Sequence, residues 1–150
     1  MTSRPVRWWH VGWLMLLPGL SACGTSSDPH IVPLTPAEKR LTNIALAYAD
    51  AEEKLGRPPR DADELKEFLK PFGNPDELLV SPNDGQPFVV IWGKKLAGGP
   101  TPYKGLFPIL AYEKTGSSRA VTDIRGRPMT VPEVDFSQLQ FLGGHKPAPN

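Results

Sequence analysis

Apolar positions change period once along the chain, and that change divides it. Leu41, Ile44, Tyr48, Ala51 and Leu55 recur at steps of three and four, the spacing of one helical face. Thr35-Pro36-Ala37-Glu38 before them has the form of a capping box with proline at the first helical position. Gly56 stands where a left-handed residue closes a helix, so a helix over about 35–55 is predicted. Arg57-Pro58-Pro59 reads as a rigid connector. Asp61-Ala62-Asp63-Glu64 opens a second, shorter helix with another capping box; Leu65, Phe68 and Leu69 supply its apolar side, and Pro71 and Gly73 stop it.

From Leu78 the pattern is that of short strands. Leu78-Leu79-Val80 is an apolar run closed by the turn Ser81-Pro82-Asn83-Asp84-Gly85. Phe88-Val89-Val90-Ile91-Trp92 is continuous, β-branched and aromatic, which predicts a central strand. A loop over 93–105 follows, rich in glycine and proline. Ile109–Tyr112, Ala120–Ile124 and Met129–Val131 read as further strands, Thr115–Ser118 as a turn, and Pro132–Leu139 as a last helical turn. Such short spacings favour antiparallel hairpins over crossovers. The predicted class is therefore α+β: a long N-terminal helix and a short helix packed on a three- to four-stranded antiparallel sheet, over residues 35–142. Residues 143–150 read as a flexible tail.

The N-terminal stretch follows other rules. Arg4 and Arg7 precede a 13-residue, mostly apolar run, Trp8–Leu20, broken near its end by Pro18-Gly19. A permanent span of a hydrocarbon core about 30 Å thick needs roughly 20 residues, so the run suits a secretory signal instead. Leu20-Ser21-Ala22-Cys23 then resembles the lipobox of bacterial lipoproteins. That resemblance implies a signal peptide over 1–22, diacylglyceryl modification of the Cys23 thiol, and membrane attachment through the new N-terminus. Two acyl chains anchor stably where one does not, since each buried CH₂ contributes about 0.8 kcal/mol. Gly24–Pro29 is small and polar, so residues 23–34 read as a lipidated tether.

Charge changes little in this picture. The 150 residues carry 17 basic and 16 acidic side chains, formal +1. Without Arg4 and Arg7 the balance is 15 to 16, formal −1, which argues against a dedicated nucleic-acid binder and leaves anchoring to the lipid.

A second resemblance covers roughly 36–131. A long helix, then Gly56-Arg57-Pro58-Pro59 leading into Asp63-Glu64-Leu65, then Ser81-Pro82-Asn83-Asp84-Gly85-Gln86-Pro87-Phe88 entering a strand, resembles the globular part of type II secretion pseudopilins. It is similar also to lipoproteins and pilin-like proteins of planctomycetes. The implied fold is the helix-plus-sheet arrangement above. The chain departs from that family in lacking a prepilin-peptidase site and the long apolar helix that packs a filament. No Asp-rich loop after Trp92 matches the family's calcium ligands.

Reactive side chains are few. The single cysteine is the lipobox residue, His10 lies in the signal peptide, His30 in the tether and His145 in the tail, so the expected core contains no histidine. A Ser-His-Asp or Cys-His arrangement, or a histidine zinc site, has no support from that distribution. Asp61, Asp63, Glu64 and Glu67 suit a helix N-terminus, and Asp84 a turn. Glu113 and Asp123 are candidate paired carboxylates across a hairpin, although solvated cross-strand charges beside Lys114 and Arg125 are the commoner arrangement. Gly98-Gly99-Pro100 lacks the Lys-Ser/Thr ending of a phosphate loop. Trp92 and Tyr112 are expected in the core, whereas Tyr103 and Phe107, in and beside the longest loop, are the candidate interaction residues. No cofactor or metal is expected. The reading is a non-enzymatic, membrane-anchored envelope lipoprotein, a structural or protein-interaction module related to secretion or pili, with an envelope protein as partner. The alternative is a lipid-anchored carboxylate- or metal-dependent hydrolase or ligand binder.

Overall fold

A computed structural model describes residues 33–97 and 105–148, all within one compact unit that begins at Pro33. The lipobox residues Leu20, Ser21, Ala22 and Cys23, the residue His30 and the loop residue Tyr103 lie outside the described residues. The unit is α+β, with helices and a four-stranded antiparallel sheet in the order β1-β2-β3-β4.

Helix α1, Pro36–Leu55, is the long helix that periodicity predicts. The Thr35 hydroxyl accepts from the Glu38 amide at 3.2 Å, and a Glu38 carboxylate oxygen accepts from the Thr35 amide at 2.9 Å. Gly56, at φ 68°, ends the helix in the left-handed conformation that an L side chain resists. Its inner face buries Leu41, Ile44, Tyr48 and Ala51 completely. Helix α2 spans Ala62–Leu69. Only half of the expected second capping box forms. Asp61 accepts from the Glu64 amide, but the Glu64 carboxylate reaches past the Asp61 amide to accept from the Arg60 backbone and from the bidentate fork of Arg57.

Two expectations need correction. Leu78-Leu79-Val80 is not a strand. Leu78 ends a one-turn helix, α3 (Pro75–Leu78), which starts at an Asn74 cap with proline at its first position and acids after it. Those N-terminal signals outweigh three apolar residues; only Val80 makes an isolated bridge, to Pro87. Phe88–Trp92 is not a central strand either. Its strand, β1, is Val89–Val90 at the sheet edge. The run is apolar because the chain around it is covered: Trp92 leaves the sheet and stacks on Tyr48, ring centroids 6.3 Å apart.

The central strands are β2 (Ile109–Tyr112) and β3 (Ser118–Asp123), and β4 (Pro128–Pro132) forms the other edge. Every residue of β2 and all but Ser118 of β3 are buried, with no inside-outside alternation. Side chains along a strand alternate between faces, so both faces of the sheet must be covered. Helix α1 covers one; there Thr130 of β4 donates to Glu38. The segment after β4 covers the other. Helix α4 (Glu133–Phe136) sets the Phe136 ring edge-on to Tyr112 at 5.2 Å, and Phe141 approaches Tyr112 at 5.5 Å. Gln140–Phe141 runs beside Ile109, extending the sheet past the point where β1 leaves it.

Candidate functional site

Within the expected tail, His145 contacts the sheet's second face. Leu142–Gly144 form a 3₁₀ turn, and Gly143 and Gly144 both have positive φ, which reverses the chain. The reversal carries His145 onto the sheet's second face, where Nε2 and the Tyr112 hydroxyl share a hydrogen bond of 2.9 Å. His145, expected in the tail away from the core, is half-buried against Tyr112 and Phe141. Burial pushes the Tyr112 phenol above its ordinary value, with Arg119 acting in the opposite direction.

Arg119, on β3, is the buried cation beneath this cover. Its side chain is 2% exposed, its fork meets Glu133 through two contacts of 2.6 Å, and its guanidinium lies 4.2 Å over the Phe136 ring. A charge this deep is tolerable only when paired and hydrogen-bonded. Nothing in the local sequence announces it, since Ser117-Ser118-Arg119 reads as a turn entering a strand.

Clefts open on either side of the docked tail. One, of about 640 Å³, has Val89, Tyr112 and Ala148 as its apolar lining, with Lys114, Lys146 and His145 around them. The second, of about 620 Å³, lies toward Lys94 and Lys95 and shares His145 and Lys146 with the first. No carboxylate lines either one. The four lysines are exposed and, among the described residues, none is ion-paired.

The candidate carboxylates are elsewhere and are not a pair. Glu113 is 3% exposed and accepts from the Ser81 hydroxyl at 2.6 Å, the Asn83 amide at 2.8 Å and the Ala120 backbone at 2.7 Å. It fastens the Ser81–Gly85 turn to the sheet. Asp84 in that turn accepts from Thr115 at 2.6 Å and from the Gln86 backbone. Asp123, fully buried, accepts from the backbones of Phe107, Arg125 and Arg127 and from the Arg127 side chain. Glu113 and Asp123 are neither solvated nor facing a reaction space; both organise turns. Phe107 is half-buried beneath Arg125, whose guanidinium is 3.7 Å from the ring centroid, with Arg127 at 5.1 Å. Trp92 and Tyr112 pack in or against the core as expected.

Among the described residues, no group of three or more His, Cys, Asp or Glu side chains could hold a metal ion. The clefts present one imidazole, one phenol and several ammonium groups, without a carboxylate to orient the imidazole as a base. What this arrangement can do chemically is bind negative charge next to an apolar contact. No protein-family model, curated protein or solved structure matches the chain.

Proposed function

We propose that this chain is an exported lipoprotein of the bacterial envelope, lipidated at Cys23, whose α+β domain acts as a protein-interaction module. The observation that carries the reading is Leu20-Ser21-Ala22-Cys23 behind a 13-residue apolar run and two arginines. Among the described residues, no helix is long and apolar enough to cross a membrane, so a lipid is the attachment consistent with a small domain on a short polar tether. Residues 1–22 direct export, 23–34 form the tether, and the domain from 35 onward meets an envelope partner. A long helix, a short helix and an antiparallel sheet are also what the pseudopilin resemblance implies, which supports a role beside secretion or pilus machinery. The alternative, a carboxylate- or metal-dependent hydrolase or ligand binder, gains nothing from Glu113 and Asp123, whose oxygens are taken up by internal donors.

The anchor is tested by metabolic labelling with palmitate. The wild-type chain should take up label and be processed, whereas Cys23→Ser should take up none and remain as precursor. Label retained by Cys23→Ser would end the lipoprotein reading.

A further inference from the structure

Formal charge near zero conceals a division between the two parts of the chain. Residues 36–78, the helical part, carry 10 acidic and 7 basic side chains; residues 79–150 carry 5 acidic and 8 basic. In the second part Glu113 and Asp123 are buried, Glu133 is held by Arg119, Asp84 accepts from Thr115, and neither Asp84 nor Asp135 lines a cleft. The four exposed lysines of the clefts thus lie where no carboxylate lines the wall, and among the described residues none of them is ion-paired. We infer that the paired clefts flanking His145 and Lys146 are a docking site for an extended acidic segment of another protein, its carboxylates meeting Lys94, Lys95, Lys114 and Lys146 and an apolar side chain entering the cleft between Val89 and Ala148.

The shape selects this occupant. A cleft of about 640 Å³ is of the size that encloses a small ligand or one or two side chains. A flat anionic bilayer meets the lysine rim but leaves the apolar floor empty. Single-stranded nucleic acid wants exposed aromatic faces for stacking, and Tyr112 and Phe141, at 3% and 9% exposure, offer none. A second copy of this chain would have to present its acidic helical part. Half of the ten acids there are already ion-paired: Asp50 with Lys54, Glu64 with Arg57, Asp63 and Asp76 with Lys66, and Glu67 with Lys70. The inference rests on the interaction-module reading and names the chemistry of its partner.

The test uses the full chain in neutral detergent micelles and a fluorescein-labelled Asp-Glu-Leu-Glu-Phe-Glu-Asp peptide, followed by anisotropy. Two control peptides replace either every acid with lysine or both apolar residues with glycine. The acidic peptide should bind at about 50 mM salt and weaken strongly by about 500 mM, and both controls should bind far more weakly. Lys114→Glu/Lys146→Glu should weaken it by about tenfold or more, and Lys94→Glu/Lys95→Glu should give an independent loss. Lys39→Glu, on the helical part, should change it by less than about twofold. All five positions are exposed, and circular dichroism verifies each fold. Equal binding of the lysine peptide, or unchanged binding by both double variants, overturns the proposal. So does a wild-type chain that ignores the peptide but binds phosphatidylglycerol vesicles or self-associates through the same lysines. Palmitate labelling is independent of this readout: a failed titration with Cys23 still labelled removes the cleft alone, and lost labelling with intact titration removes the anchor alone.

Discussion

The two covers of the sheet are built by different means. Helix α1 covers its face with small and aliphatic side chains around one ring, Tyr48, whose hydroxyl bonds the Ile91 and Lys94 backbones, and part of the charge on its exposed side pairs within the helical part, as Lys54 does with Asp50. The segment 133–148 covers the other face with an aromatic cluster around Tyr112, a buried arginine and a histidine hydrogen bond. Apart from the Tyr48 hydroxyl, burial on the first side is apolar, non-directional, and tolerant of exchange among like-sized residues. Directional contacts on the second side fix one geometry, and they leave clefts and unpaired lysines at its margin. On the helical side half of the acids are paired internally, which leaves less free charge for a partner. On the proposed reading, scaffolding falls to the helical cover and recognition to the C-terminal one.

If both covers belong to one cooperative unit, the largest effect comes from removing the centre of the second. Phe136 is 2% exposed, and Phe136→Ala should destabilise the whole domain by about 3–5 kcal/mol, read as a lower urea midpoint with unchanged slope. A local loss of protection over 133–148, with the global midpoint intact, would instead make the C-terminal cover a separate, detachable layer. A smaller effect is expected at the tail contact. Tyr112→Phe removes the hydroxyl that meets His145 and should cost about 1 kcal/mol, with faster amide exchange at His145 than at residues of β2.

The smallest effect lies on the helical side and depends on pH. Bonding to Arg57, helped by the Arg60 backbone, holds the Glu64 carboxyl down to about 2 against an ordinary 4.5. A carboxylate with a lowered folded value contributes stability that is fully present above about 4.5 and is lost as pH falls from 4.5 toward 2. Glu64→Gln should therefore lower Tm slightly at neutral pH, and its difference from wild type should shrink through that window. A constant difference from pH 7 to pH 2 would mean the Arg57 pair contributes nothing to folding.

Legibility follows the same division. The capping box, the apolar stripe and Gly56 gave α1 at its observed limits, because helix signals are local and lie within a few residues of what they control. Strands β2, β3 and β4 were readable from apolar runs between turns. The edge position of β1 was not, since an apolar run reports burial and is silent about which neighbour supplies it. Asn74-Pro75-Asp76-Glu77 did carry a helix-start signal, which the following Leu78-Leu79-Val80 obscured. The second cover was invisible because Arg119, Glu133, Phe136 and His145 are brought together only by the return of the chain across the sheet. Read in isolation, each is an ordinary polar or apolar residue in a short segment. The clefts share that origin: Lys94, Lys114 and Lys146 lie far apart in sequence and meet around the docked tail. Even the near-zero net charge concealed them, since a sum over the chain says nothing about its distribution.

The measurement that bears most directly on the division is site-specific photocrosslinking of the full chain in native membranes. A photoreactive residue placed at position 114 or 146, beside the clefts, is compared with one at position 39 or 53, on the exposed side of α1. Crosslinks to a protein of acidic sequence from 114 and 146, and none from 39 and 53, are predicted. Crosslinks from the α1 positions alone would reverse the assignment of scaffold and recognition surface and contradict the account.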